Sequence, residues 1–248
     1  MNAAAIDPVL AEAIAEDLDS LATLHDRELD VGVLSTLREF GFPDNLGLLP
    51  ATGTAREAWA MMRAAFGELP ESPDEALIDE LAADFAGIYL NAALGASPYE
   101  SVWLSDDHLK YQEAMFELRA LYAAHGLTAA DWRHRADDHF LLQLQFFAHL
   151  LRQAASQQDL RGLAALMDEH LLRWFGDFAA RVAARCDTAF YAALAMLTAA
   201  YCEQVRDLLA SVLDEPRPTR EEVEERCRSK RQPVPAPIAF LPGSGPSW

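Results

Sequence analysis

A chain of 248 residues with 39 acidic and 20 basic side chains, a formal net charge of −19, is ill suited to nucleic acid, whose phosphates need Lys and Arg to displace counterions. The same balance argues against anionic membrane surfaces. A hydrophobic content of 51% is ample for a core, and sparse β-branched residues favour helix over sheet.

The first segment, MNAAAIDPVLAEAIAEDL, lacks the basic start of a signal peptide. Asp7-Pro8 reads as an N-cap followed by proline at the first helical position, opening a helix towards Arg27. A short helix over Val31 to Phe40 stops at Gly41-Phe42-Pro43. Thr54, with Glu57 at capping-box spacing, opens a helix ending near Gly67. Ser72-Pro73 opens the next, along which Leu77, Leu81, Phe85 and Ile88 recur on one face, ending around Asn91 to Gly95.

Ser105, with His108 three residues on, starts a helix to Ala124 that Gly126 closes. Thr128 caps one short turn. Asp137 or Asp138 caps a strongly apolar helix through Leu151. Asp159 opens a helix to about Arg185, and Asp187/Thr188 opens another through Leu213. Its apolar run, Ala189 to Cys202, is too short to span a bilayer. Beyond Asp214 the chain changes: Glu215 to Pro218 breaks it, Glu221 to Lys230 suits a short charged helix, and PVPAPIAFLPGSGPSW is extended or disordered. No strand pattern and no internal repeat compete. The expected fold is all-α, one helical bundle of about ten helices over residues 1–213, with a charged then Pro/Gly-rich tail over 214–248.

Three cysteines, Cys186, Cys202 and Cys227, form no Cys-x-x-Cys and no Cys/His spacing, as for reduced thiols in the cytoplasm. Cys186 and Cys202 suit small core positions on helices. The acidity is uneven. Residues 1–107 hold 21 acidic against 4 basic residues, 108–213 hold 12 against 10, and the tail holds 6 against 6. That half is either a solvated surface or an attractor for a cationic partner.

Chemistry-bearing residues concentrate in two places. Pro98-Tyr99-Glu100-Ser101-Val102-Trp103 forms a compact patch after a Gly/Pro turn. No histidine at nucleophile-elbow spacing accompanies Ser101, which disfavours hydrolase chemistry there. The second is His134-Arg-Ala-Asp137-Asp138-His139. Its spacing permits a metal-dependent hydrolase, but an N-cap with a hydrogen-bonded histidine accounts for it more simply. Past it, His139, Gln143 and Phe146 share a helix face whose mixed chemistry suits a groove wall, beside a core stripe of Phe140, Leu144, Phe147 and Leu151. Trp103, Trp132 and Trp174 suit ordinary packing roles. No phosphate-cradling loop or cofactor motif is present.

The order Asp84-Phe85…Tyr89-Leu90, Pro98 to Trp103, Tyr122…Gly126-Leu127, Asp138-His139 with Leu142, Leu144 and Phe146, His170-Leu171-Leu172…Trp174 and Phe190-Tyr191 resembles the TorD/DmsD family of redox-enzyme maturation chaperones. The likeness covers roughly residues 10–212 and is best from 84 to 200. It implies an all-helical cytoplasmic chaperone without catalysis or cofactor of its own. Its partner would be a molybdopterin oxidoreductase precursor, held through a twin-arginine leader until its cofactor is inserted. The chaperone itself would be a monomer or homodimer.

By position the resemblance implicates Tyr99, Glu100, Ser101, Trp103, Asp138 and His139 in leader binding, with Phe85 and Tyr89 in second place. Gln143 and Phe146 join from the helix face. The family usually has Pro where Asp137 stands and Glu where Gln143 and Gln145 stand. A leader's cationic start and apolar middle would complement the acidic half and an aromatic-lined groove. Arg226-Cys-Arg-Ser-Lys-Arg231 followed by PVPAPIAFLP loosely imitates such a leader, and could compete for a groove.

Overall fold

Helix α1, Pro8–Leu24, begins where the Asp7 carboxylate accepts the Val9 and Leu10 amides and Pro8 takes the first helical position. The computed structural model describes residues 6–131 and 133–230, in two units, Met1–Arg217 and Pro218–Trp248. The expected roles of Trp132, of the Pro-rich tail and of its leader-like run fall on or extend into residues outside those described.

In the first unit α2 spans Val31–Glu39, α3 Gly53–Gly67 and α4 Glu75–Phe85, which continues as a π turn over Ala86–Leu90. A five-residue α5, Glu100–Leu104, precedes α6, Glu113–Ala124, and α7, Phe140–Gln153. Then come α8, Gln157–Glu169, a 3-10 turn over Leu171–Arg173, α9, Phe175–Arg185, and α10, Ala189–Leu213. The second unit holds α11, Arg220–Lys230, opened by reciprocal hydrogen bonds between Thr219 and Glu222. Among the described residues there is no strand, and no helix is long and apolar enough to cross a membrane.

The helix starts moved where a better cap was nearby. Thr52, not Thr54, caps α3 through the Ala55 amide at 3.0 Å. Asp74, not Ser72, caps α4 through Leu77 at 3.0 Å. Ser156 opens α8 in a capping box whose acidic member is Asp159. The expected continuous helix to Arg185 is interrupted at His170, whose φ of −116° and ψ of −92° lie outside the helical range.

Helix α10 is apolar nearly all round, as a central helix must be. Phe190, Tyr191, Leu194, Leu197 and Tyr201 are buried on it, and α3, α8 and α9 pack against it. Cys202 is a core residue, whereas Cys186 sits half-buried just past the end of α9. Asp84 on α4 accepts the Asp187 and Thr188 amides at 3.0 and 2.6 Å and so caps α10, whose own Thr188 supplies no side-chain bond. Buried Arg206 of α10 meets Asp168 of α8 in a two-pronged pair at 2.9 and 2.8 Å.

Helices α1 and α7 share the most extensive contact of the helix pairs and run antiparallel. His25 at the end of α1 packs edge-on to Phe140 at the start of α7. At the other end Arg152 of α7 bonds Glu12 and Asp19 of α1 at 2.9 and 2.7 Å.

Candidate functional site

The turn before α5 is stitched to the start of α7. The Phe140 amide donates to the Pro98 carbonyl at 3.0 Å, and the Glu100 amide to the Asp138 carbonyl at 3.1 Å. Tyr99 and His139 thereby form an isolated antiparallel bridge. Helix α5 has no cap from its own Tyr99, and Asp138 provides one in trans by accepting the Ser101 amide at 2.8 Å.

Asp138 is therefore not the cap of α7, and neither is Asp137. The Asp137 carboxylate takes two hydrogen bonds from Arg119 at 2.9 and 2.7 Å. His139 caps α7 instead, its Nδ1 accepting the Leu141 amide at 3.2 Å. An accepting Nδ1 requires a neutral ring. Burial holds the His139 pKa well below the usual histidine range, helped by the positive charges of Arg135 and Lys110.

Glu100 sits at the centre, almost fully buried. Its Oε1 meets His170 Nδ1 at 2.9 Å and its Oε2 accepts from Gln143 Nε2 at 2.9 Å. Burial works to lower the His170 pKa, yet the Glu100 carboxylate outweighs it and the net shift is upward. Burial also raises the Asp138 pKa, against the Ser101 hydrogen bonds, with Glu100 adding to the rise. The amide at position 143 matters here, because a carboxylate would face Glu100 at hydrogen-bonding distance with no donor between them.

Aromatic and cationic side chains cover the turn. Trp103 donates its indole N–H to the Ser97 carbonyl at 2.7 Å and stacks on Trp174, centroids 6.0 Å apart. The Arg181 guanidinium lies 4.4 Å from the Trp103 ring. Lys110 Nζ lies 4.1 Å from the Tyr99 ring. The expected helix start at Ser105 is absent, since residues 105–112 fold back over the turn. His108 and Tyr111 adopt left-handed backbone conformations, φ 52° and 63°, which no α-helix of L-residues accommodates. Leu109 and Tyr111 on this segment are each 57% exposed.

Six of the expected site residues, Tyr99, Glu100, Ser101, Asp138, His139 and Gln143, thus come together, with Trp103 beside them. All six are buried, so the face of His139, Gln143 and Phe146 is interior and not an open groove wall. Phe146 leaves the cluster and packs against Tyr122 and His125, with ring centroids 4.8 and 5.3 Å away. Phe85 and Tyr89 lie behind Phe140 in the main core, where Tyr89 bonds His25.

His170 and Trp174 entered the sequence reading only through the family resemblance and, for Trp174, a packing role, while Arg181, Lys110 and His25 carried no site signal. Trp174 and Arg181 are seven residues apart, a spacing that puts them on one helix face and could have suggested a shared partner. The spread of His134 to His139 also answers the metal reading. Asp137 turns to Arg119, Asp138 to Ser101 and His139 to Leu141, while His134 is exposed. Among the described residues no three His, Cys, Asp or Glu side chains form a metal-binding group.

A family profile described as nitrate reductase delta subunit matches residues 51–180. A Photobacterium profundum protein named chaperone protein TorD is 31% identical over 172 residues, covering 66% of this chain and 77% of that protein. The chain belongs to the TorD/DmsD family of chaperones. Further TorD proteins agree, from Vibrio cholerae at 29% identity over 68% of this chain and 79% of theirs, and from Vibrio vulnificus at 28% over 75% and 87%. These relatives are named chaperones, a role that is not enzymatic. The profile's stretch contains the whole Tyr99–His139 frame and its partner His170.

Proposed function

We propose that this TorD-family chain is a cytoplasmic chaperone for the precursor of a molybdopterin oxidoreductase, which it engages through the precursor's twin-arginine leader and holds for cofactor insertion. Residues 1–213 carry the activity. Tyr99, Glu100, Ser101, Asp138, His139 and Gln143 act as the frame of the leader-binding region, and Trp103 acts at its edge. Phe85, Tyr89 and Phe146 support it from the core.

The observation that carries this reading is the pinning of the 98–103 turn to Asp138-His139. A frame of buried polar bonds fixes the segment lying over it, and that segment displays Leu109 and Tyr111 to solvent. Left-handed His108 and Tyr111 each cost roughly 1–2 kcal/mol in an L-residue chain. Such strain persists where surrounding contacts hold it, commonly at binding sites. Exposed Leu109 and Tyr111, next in the chain to the strongly acidic residues 1–107, complement a chain that is cationic at one end and apolar next to it.

The test is co-purification. The tagged protein is drawn from its native cytoplasm and its companions are identified by mass spectrometry. Recovery of a molybdoenzyme catalytic subunit still carrying its leader is the expected result. Recovery of the protein with no such subunit, in cells that express one, would sink the proposal.

A further inference from the structure

A concavity lies away from this frame. A cleft of about 910 Å³ runs along α1 and α2 to the segment 40–46. That is near the top of the roughly 300–1,000 Å³ range of ligand pockets. Leu24, Leu29, Val33, Leu37 and Phe42 make an apolar floor, and Phe40, 65% exposed, stands at its edge.

The rim is acidic. Glu16, Asp19 and Asp30 line it beside two cations, Arg27 and Arg152. Arg152 is already engaged by Glu12 and Asp19. Asp17, deeper in, is committed to the Gly47 amide at 2.6 Å and to the Tyr201 hydroxyl. Asp30 caps α2 through the Val33 amide at 2.8 Å while its charge stays at the exposed rim, and Glu16 is exposed and forms no ion pair among the described residues. Among the described residues Arg27 forms no ion pair either, so Glu16 and Asp30 leave the rim net acidic, and an apolar floor under such a rim selects an occupant with the reverse pattern.

We propose that this cleft docks a peptide segment of the client, apolar over several residues and bearing an Arg or Lys that reaches Glu16 or Asp30. The inference rests on the chaperone reading and adds a docking place that the frame does not contain. The cleft touches Arg152 at one end of α7, and His139 caps the other end. Thirteen residues of helix separate them by roughly 20 Å, which an extended chain of about six residues covers. One client segment can therefore engage the cleft and the frame together.

The probe is a fluorescein-labelled synthetic peptide, two arginines followed by an apolar Leu/Ala run, titrated against the full chain by fluorescence anisotropy. The variant is Glu16→Lys, Asp30→Ser and Phe40→Ser combined. Serine retains the cap of α2, and the other two side chains are exposed, so the fold has little reason to change. At least about a tenfold loss of affinity, with most of the salt dependence gone, is the expected result. Unchanged affinity in the folded variant overturns the cleft and leaves the chaperone reading standing. Absence of binding to the unaltered chain counts against the chaperone reading itself. Amide hydrogen exchange on the unaltered chain decides the matter should the variant not fold. Peptide-induced protection over residues 31–40 supports the cleft, and protection confined to 97–112 overturns it.

Discussion

Glu100 and His170, 70 residues apart in the chain, meet at 2.9 Å with almost no access to solvent. The contact ties the start of α5 to the break between α8 and α9. Trp103 and Trp174 stack beside it, so the same break supplies the platform under the candidate site. The interruption of the helix after Glu169 is thus where the site is anchored.

Removing one member should be costly. His170→Ala leaves a buried carboxylate with Gln143 as its remaining side-chain partner, and breaking such pairs costs about 3–5 kcal/mol. Urea denaturation should show that loss, and Glu100→Gln added to His170→Ala should restore part of it. The pair has a pH signature. The His170 pKa is raised on folding, so its contribution is fully present below the unfolded value near 6.5 and is lost as pH rises through the folded value. A loss under about 1 kcal/mol in His170→Ala would show that the pair carries no such weight.

His25 should give the opposite dependence. Thr198 donates its hydroxyl proton to the Leu194 carbonyl, so it accepts from His25 Nε2 at 2.9 Å, and Nδ1 accepts from the Tyr89 hydroxyl. The ring is neutral, and burial pushes its pKa down to about 3. A depressed value means full stability above the unfolded pKa near 6.5, lost progressively down to about 3, at up to about 1.4 kcal/mol per pH unit. Stability measured across that range should fall less steeply in His25→Gln. An identical slope in both proteins would assign the acid sensitivity elsewhere.

Asp138 separates charge from capping. Burial raises its pKa, so a charge is not what the site rewards. Asp138→Asn keeps an acceptor for the Ser101 amide and should change stability by less than about 1 kcal/mol. Asp138→Ala removes the cap and should cost roughly 1–2 kcal/mol more. Thermal unfolding distinguishes them, and equal losses would contradict the role of cap.

Binding and stability should divide between two residues on neighbouring elements. Trp103→Ala should reduce affinity for a leader peptide about tenfold with the fold retained. Leu144→Ala, fully buried, should cost about 2–5 kcal/mol while leaving the affinity of the folded protein unchanged. His139→Ala should lower both affinity and stability, because its ring caps α7 directly beneath the turn assigned to the leader. Peptide titration alongside circular dichroism reads both quantities. The reverse assignment would make Trp103 a core residue only.

Salt should weaken leader binding without abolishing it. Raising salt from about 0.05 to about 0.5 M screens the acidic half but not the apolar contacts. An affinity constant over that range would remove the electrostatic part of the proposal.

The helical class and most element positions were determined by the sequence alone. Apolar residues recur with a helical period, and Asp7-Pro8 is a complete local instruction for starting a helix. The pairing of residues 98–103 with Asp138-His139 was legible only through resemblance, because nothing in the local pattern joins positions so far apart. Tertiary structure decided the rest. It made His139 and not an aspartate the cap of α7, since Arg119 and Ser101 claimed both carboxylates. It broke the helix at His170, where the imidazole pairs with the buried Glu100. It also turned an expected groove wall inward, for periodicity tells which residues share a face but not which element covers that face. That choice is made by long-range packing, whose energy is not encoded within any one segment.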